Sequence, residues 1–218
     1  KKKKSFKNPI NIICCSNWLA ECAKKSYLMQ NWPIEIIPIP IDLKKFSPVN
    51  KLFARKILNL PPLKPLILFG AIRGIRDPRK GADLLFKALE IFKERESKDA
   101  YLSSLELLIF GQNKDANLVE VNFPIHFFGH LFDDISLRIL YSAADLLVVP
   151  SRLEALGQTA VESHACGRPV VGFNNGGLVD VVENRKTGCL AESFDPYKLA
   201  NEIKWILENE ARKIELGE

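Results

Sequence analysis

The feature that most limits what this chain can fold into is a series of short runs that are apolar from end to end. "LILFG" at 66–70, "LELLIFG" at 105–111, "DLLVVPS" at 145–151 and "PVVGF" at 169–173 all have strand length. None alternates apolar with polar residues, so both faces of each strand must be covered. Helical patterns lie between them. "ADLLFKALEIFKERE" carries apolar residues at i, i+3, i+4 and i+7. Further helices are expected at 135–144, 156–166, shortly after "NNGG", and at 196–209, with shorter strands at 126–130 and 188–192. Apolar strands separated by helices predict an α/β protein, a Rossmann-like parallel sheet with helices on both faces. Ahead of this series come a strand at 11–15, a helix at 18–29 capped by Ser16 or Asn17, and a strand at 34–37. The proline-punctuated "PIPIDLKKFSP" reads as an extended connector, followed by a short basic helix at 51–60.

Charge narrows the classes of partner. The net charge is +5, and Lys1, Lys2, Lys3, Lys4 and Lys7 account for all of it. Such a run is a solvated tail or a loose contact for anionic lipid headgroups or nucleic acid. A neutral body without a basic-aromatic stripe argues against nucleic acid as the main partner. The cysteines Cys14, Cys15, Cys22, Cys166 and Cys189 are odd in number, lack C-x-x-C spacing and sit beside apolar residues. They read as buried free thiols in a reducing compartment, with no metal site. No apolar run is long enough to span a bilayer, so a cytoplasmic location is expected, with peripheral contact at the inner membrane face as the addition the lysines suggest.

In folds of this class ligands bind at the carboxyl ends of the strands, in the loops that feed the helices. Neither G-x-G-x-x-G nor G-x-x-x-x-G-K-[ST] occurs, which counts against a dinucleotide dehydrogenase and a P-loop enzyme. The loop at 71–81 concentrates Arg73, Arg76, Arg79 and Lys80 around a single acid, Asp77. Cations beside a helix N-terminus suit a phosphate, and the same loop reads about as readily as solvated surface with its arginines in ordinary ion pairs; its place at a strand's carboxyl end favours phosphate. After the run ending at Val149, Glu154 and Glu162 stand eight residues apart around the start of a helix. The free backbone N–H groups of Leu156, Gly157, Gln158 and Thr159 face the same mouth and could hold a phosphate. One carboxylate could accept from sugar hydroxyls and the other from a ribose diol. Taken singly, each is as readily an ordinary surface glutamate.

"RKGADLL", "PSRLEALGQTAVESHACGRPVV" and "NNGGLVDVV…TGCLAE", in this order, resemble the nucleotide-sugar half of retaining glycosyltransferases of family 4, which have the GT-B fold. The upstream "SNWLAECAKKS" and "IPIPIDLKKFSP" resemble the passage from the first domain of such enzymes to the second. The resemblance implies that residues 1–41 end an N-terminal acceptor domain. Residues 42–218 would form the nucleotide-sugar-binding domain, with its C-terminal end missing. It implies that Lys80 contacts the donor diphosphate and stabilises the leaving group without a metal or cofactor. An arginine directly after the preceding glycine assists in the family; here Ala71 holds that place, so Arg73 or Arg76 stands in. Glu162 would bind the ribose, Glu154 the donor sugar, and the backbone around Gly129 and His130 the nucleobase. "EALG" takes the place of the frequent E-G-F-G. His126, His130 and His164 are read as packing or surface side chains rather than catalytic ones.

The expectation is therefore the donor half of a retaining glycosyltransferase. It would bind a nucleotide-diphosphate sugar for transfer to a glycan or lipid acceptor held by an N-terminal domain absent from this chain. The alternatives are a non-catalytic nucleotide-sugar-binding module of the same fold and a nucleotide-sugar epimerase. The sole methionine is Met29 and the sequence stops within a helical pattern. A fragment without turnover of its own is expected.

Overall fold

The computed structural model describes residues 8–70, 74–114 and 121–218. The described residues form two parallel sheets. The smaller pairs β1 (Ile12–Cys14) with β2 (Ile34–Ile36), joined through α1 (Asn17–Lys24). The larger has six parallel strands: β3 (Leu66–Gly70), β4 (Glu106–Phe110), β5 (Ile125–Phe127), β6 (Leu146–Val149), β7 (Val170–Phe173) and β8 (Gly188–Ala191). Their spatial order is β5-β4-β3-β6-β7-β8. The chain thus builds outward from β3 on one side, then returns to build outward from β6 on the other. The switch point lies between β3 and β6, the place where sheets of this kind bind their ligands.

Each strand divides its side chains between two cores, as period-two geometry demands. Ile67, Phe69, Leu107, Ile109, Val148, Val171 and Phe173 pack on one face beneath α3 (Ala82–Arg95) and α6 (Pro196–Leu207). Leu66, Leu68, Leu108, Phe110, Leu147 and Val149 pack on the other with residues of α2 (Lys51–Ile57), α4 (Asp134–Ala143) and α5 (Gln158–Ala165). The expected Rossmann-like sheet with helices on both faces is what forms.

A charged clasp closes the amino ends of the central strands. Asp145 is buried and accepts from the Arg55 guanidinium at 2.9 Å, Lys51 Nζ at 3.0 Å and the Leu66 amide at 2.8 Å. Arg55 also donates to the Ala143, Pro62 and Lys64 carbonyls. Three opposing cations hold the Asp145 carboxyl below its usual range even though burial pushes the other way.

Several boundaries differ from the expected ones, each for a local reason. The helix read at 18–29 ends at Lys24, and the Ser26 hydroxyl and carbonyl then take the Leu28, Met29 and Gln30 amides into a turn. The helix read at 51–60 ends at Ile57, because Asn59 adopts φ +52° and Leu60 N–H reaches back to the Arg55 carbonyl. The connector is interrupted where Asp42 caps a turn with its carboxylate and carbonyl. The strand read at 126–130 is Ile125–Phe127, since Gly129 turns left-handed at φ +63°. The short helix after "NNGG" is a tighter 3₁₀ turn, Gly176–Asp180. The last expected helix ends at Leu207, and Asn209 caps a separate α7 (Glu210–Glu215) by accepting from the Arg212 amide. The expectation of buried thiols holds for Cys14, Cys166 and Cys189; Cys22 is exposed and Cys15 half-buried, both outside the six-stranded sheet. No helix of the described residues is long and apolar enough to cross a membrane.

Candidate functional site at the carboxyl ends of β3 and β6

The loops that follow β3 and β6 are stapled together. After β3 the chain runs through 3₁₀ turns Gly74–Arg76 and Pro78–Lys80 into Gly81, whose φ of +68° starts α3. A Cβ at Gly81 would lie 1.9 Å from the Pro150 carbonyl oxygen, so only glycine lets the two loops approach this closely. The Arg152 amide donates to the Arg79 carbonyl at 2.7 Å. Its guanidinium donates to the Pro78 carbonyl and, at 2.7 and 2.6 Å, to both oxygens of Asp83 in the first turn of α3. Arg152 thereby fixes the segment that presents Lys80. Sequence reasoning passed over it, although an arginine directly after "VVPS" was the available signal.

Within this frame Lys80 Nζ donates to Glu154 Oε2 at 2.7 Å, and Ser151 Oγ donates to the same oxygen at 3.1 Å. The two residues, 74 positions apart, are both partly shielded, with side chains 30% and 16% exposed. The backbone beneath Glu154 is fixed from the far side. Gly177 N–H donates to the Glu154 carbonyl at 2.7 Å, and Asn175 Nδ2 donates to the Arg152 carbonyl. Ser16 Oγ donates to the Ala155 carbonyl, so the β1–α1 segment also reaches this loop.

The cations of the β3 loop are distributed rather than banked together. Arg79 is turned to Asp77, and its guanidinium and amide hold that carboxyl down at about 2. Lys80 faces Glu154, Arg76 ends the first 3₁₀ turn, and Arg73 lies outside the described residues. Glu162 does not join the Lys80–Glu154 contact: its Oε2 accepts from the Tyr141 hydroxyl at 2.7 Å, and burial raises its carboxyl. The expected helix start at Leu156 is corrected to Gln158, because Gly157 adopts φ +94°. The Leu156 and Gly157 amides therefore belong to the loop, and only Gln158 and Thr159 offer their amides from the first turn of α5.

At the β4–β5 side, Gly111 N–H donates to the Gly129 carbonyl at 2.7 Å. Gln112 Oε1 accepts from the Ile75 amide, which ties this loop to the one after β3. His130 is exposed, its ring stacked on Phe132 at 6.2 Å between centroids. His126 bonds Glu106 at 2.6 Å, and Glu106 opens β4 at the amino end of the sheet, away from these loops. Burial holds His164 neutral at about 4, as a packing residue. Among the described residues no three His, Cys, Asp or Glu side chains are grouped as a metal ion would need.

A family model described as "Glycosyl transferases group 1" matches residues 52–218, and thus contains all of the loops above. The chain is similar to D-inositol 3-phosphate glycosyltransferase 2 of Catenulispora acidiphila, 32% identical over an alignment 195 residues long that covers 82% of this chain and 43% of that protein. A solved structure of sucrose-phosphate synthase from Thermosynechococcus elongatus aligns over 100% of this chain and 54% of its own, with TM-score 0.80 and 30% identity. The Anabaena HepE structure in complex with UDP-glucose aligns over 94% of this chain and 56% of its own, with TM-score 0.72 and 18% identity. The last of these is a likeness of fold alone. The chain spans less than half the length of the curated relatives it matches. With its sheet order, its joined β3 and β6 loops and the match over most of its length, the chain belongs to the glycosyl transferases group 1 family.

Proposed function

We propose that this chain is the donor half of a retaining glycosyltransferase, binding a nucleotide-diphosphate sugar for transfer to a glycan or lipid acceptor. The observation that carries this reading is the Lys80–Glu154 contact at the joint of the β3 and β6 loops. A cation and an acceptor are held there in mutual contact, and each answers one part of such a donor. When the diphosphate enters, Lys80 Nζ turns from Glu154 to the phosphate oxygens and balances the charge that grows as the nucleoside diphosphate departs. Glu154 is released at the same moment to accept from hydroxyls of the sugar. Arg73 or Arg76 adds positive charge, while the Leu156, Gly157, Gln158 and Thr159 amides line the phosphate side. Glu162 accepts from the ribose, and the backbone at Gly129 and His130 borders the base. Lys80 supplies the countercharge in this scheme without a metal or cofactor. Retention of configuration rests on the family resemblance.

In this reading residues 1–41 close an acceptor domain and 42–218 form the donor domain. A two-stranded parallel sheet is too small to be stable alone, and β1–β2 leaves Ile13, Ile36 and Ile37 exposed, as surfaces that further strands of an acceptor domain would cover. The chain alone would bind nucleotide and transfer no sugar. The reading includes a cytoplasmic enzyme with its basic tail at an inner membrane face. The test is calorimetric titration of the full-length protein with UDP, GDP and ADP, beside Lys80→Ala and Glu162→Ala. One nucleotide should bind, and each substitution should weaken it by about tenfold or more, the scale of a lost charge-assisted hydrogen bond. Failure of all three nucleotides to bind, or binding by both variants as tight as wild type, would overturn the proposal.

A further inference from the structure

We infer that Tyr141 is a positioning residue for nucleotide binding: its hydroxyl holds one oxygen of Glu162 so that the other faces the ribose. The inference rests on the reading that Glu162 takes the ribose diol.

Tyr141 lies on α4 and is fully buried, yet it carries a polar group that needs a partner. That partner is Glu162 Oε2 at 2.7 Å. The ring is set by two edge-on aromatic neighbours, Phe46 at 6.5 Å and Phe110 at 5.8 Å between centroids. Phe110 is set in turn by the end of β3. It pairs in register with Gly70, where a Cβ would lie 1.9 Å from its ring. A rigid line thus runs from the carboxyl end of β3 through Phe110 and Tyr141 to the carboxylate.

A glutamate has three side-chain torsions, and one that must present an oxygen to a diol loses affinity when it samples other rotamers. The phenol removes that freedom at one oxygen and leaves the second unclaimed by it. Gln158 adds a contact to the same carboxylate from the first turn of α5. Its own Oε1 is buried and finds no partner among the described residues. The Tyr141 hydroxyl is the hydrogen bond that reaches Glu162 from outside its own helix. In the low-dielectric interior such a bond is stronger than its equivalent in water.

The experiment compares UDP, GDP and ADP with their 2′,3′-dideoxy counterparts on the full-length wild type, Tyr141→Phe, Glu162→Ala and the double variant. Phenylalanine keeps the ring between Phe46 and Phe110 and removes a single hydroxyl, and thermal melting checks the fold. Wild type should prefer the ribonucleotide it binds over the dideoxy form, and Glu162→Ala should erase that preference. Tyr141→Phe should weaken the ribonucleotide by about five- to tenfold and leave the dideoxy form unchanged. In the Glu162→Ala background the same substitution should do nothing further. If Glu162→Ala keeps the preference, the ribose role of Glu162 is wrong and this inference falls with it. If Glu162→Ala erases the preference but Tyr141→Phe weakens both ligands equally, or neither, Tyr141 is only a packing residue while the donor reading stands.

Discussion

Gly177→Ala tests whether the "NNGG" turn is the strut that sets Glu154. A Cβ at Gly177 would lie 1.9 Å from the Ala155 carbonyl oxygen, 2.5 Å from its carbon and 2.9 Å from Leu156 Cα. All three atoms are main chain, so no side chain can swing aside. Reaching an ordinary 3.4 Å contact parts the two loops by about 1.5 Å. That displacement breaks the 2.7 Å bond from Gly177 N–H to the Glu154 carbonyl. Overpacking costs about 1–3 kcal/mol and the lost bond adds about 1, together about 2–4 kcal/mol. For a chain of this size that lowers Tm by about 5–15 °C. Glu154 moves with its backbone away from Lys80, so nucleotide-sugar affinity falls alongside stability. Thermal denaturation and titration of the full-length variant measure both. A variant that melts and binds like wild type would refute the argument, since the clash is with backbone that has nowhere to hide.

Three further outcomes follow from the same geometry. Asp145→Asn leaves Arg55 buried beside a neutral amide, costing about 3 kcal/mol or more and about 6–12 °C in Tm at neutral pH. The Asp145 carboxyl is depressed in the fold, so its contribution is complete above the unfolded value near 3.8 and is lost as pH falls below it. The gap between variant and wild type should therefore close only in acid. Glu162→Gln should raise Tm at pH 7 while weakening nucleotide binding. The folded carboxyl is raised by burial, so wild type loses stability as pH climbs past 4.5, and the advantage of the variant should vanish below that pH. A thiol reagent should label Cys22 first in the native protein. Cys166 and Cys189, buried and pushed up to about 12, should react only on unfolding, as mass spectrometry of the labelled protein would register.

β3, β6 and β7 were legible because burial on both faces leaves an unbroken apolar run. The start of α5 was not. Helical periodicity continues back to Leu156, but the left-handed backbone of Gly157 overrides it. The end of the last long helix was read within two residues, at Asn209, which caps the short helix that follows by accepting from the Arg212 amide. Within the candidate site, the spacing of Glu154 and Glu162 was visible while their partners were not. Lys80 meets Glu154 across 74 positions, and Tyr141 meets Glu162 across a helix interface. Sequence order does not encode such pairings; sheet order does, and β3 beside β6 could not be read from one chain. The exposed Cys22 was misread because apolar neighbours report average burial rather than which side of a short helix faces out.

The strand order also dictates when the parts of the molecule can come together. β3 joins β4 through five registered pairs from a nearby stretch of chain, and β7 and β8 join β6 just as locally. The seam between these halves has only two registered pairs, Ile67 with Leu146 and Leu68 with Leu147. It is sealed by the Leu66 amide on Asp145, 79 residues downstream. As the chain emerges from a ribosome, the first half can gather around β3 while one edge of that strand stays open until β6 arrives. Closing a loop of that length is the slow, entropically costly event of assembly. Lys80 and Glu154 stand above this seam, so they meet only once it has closed.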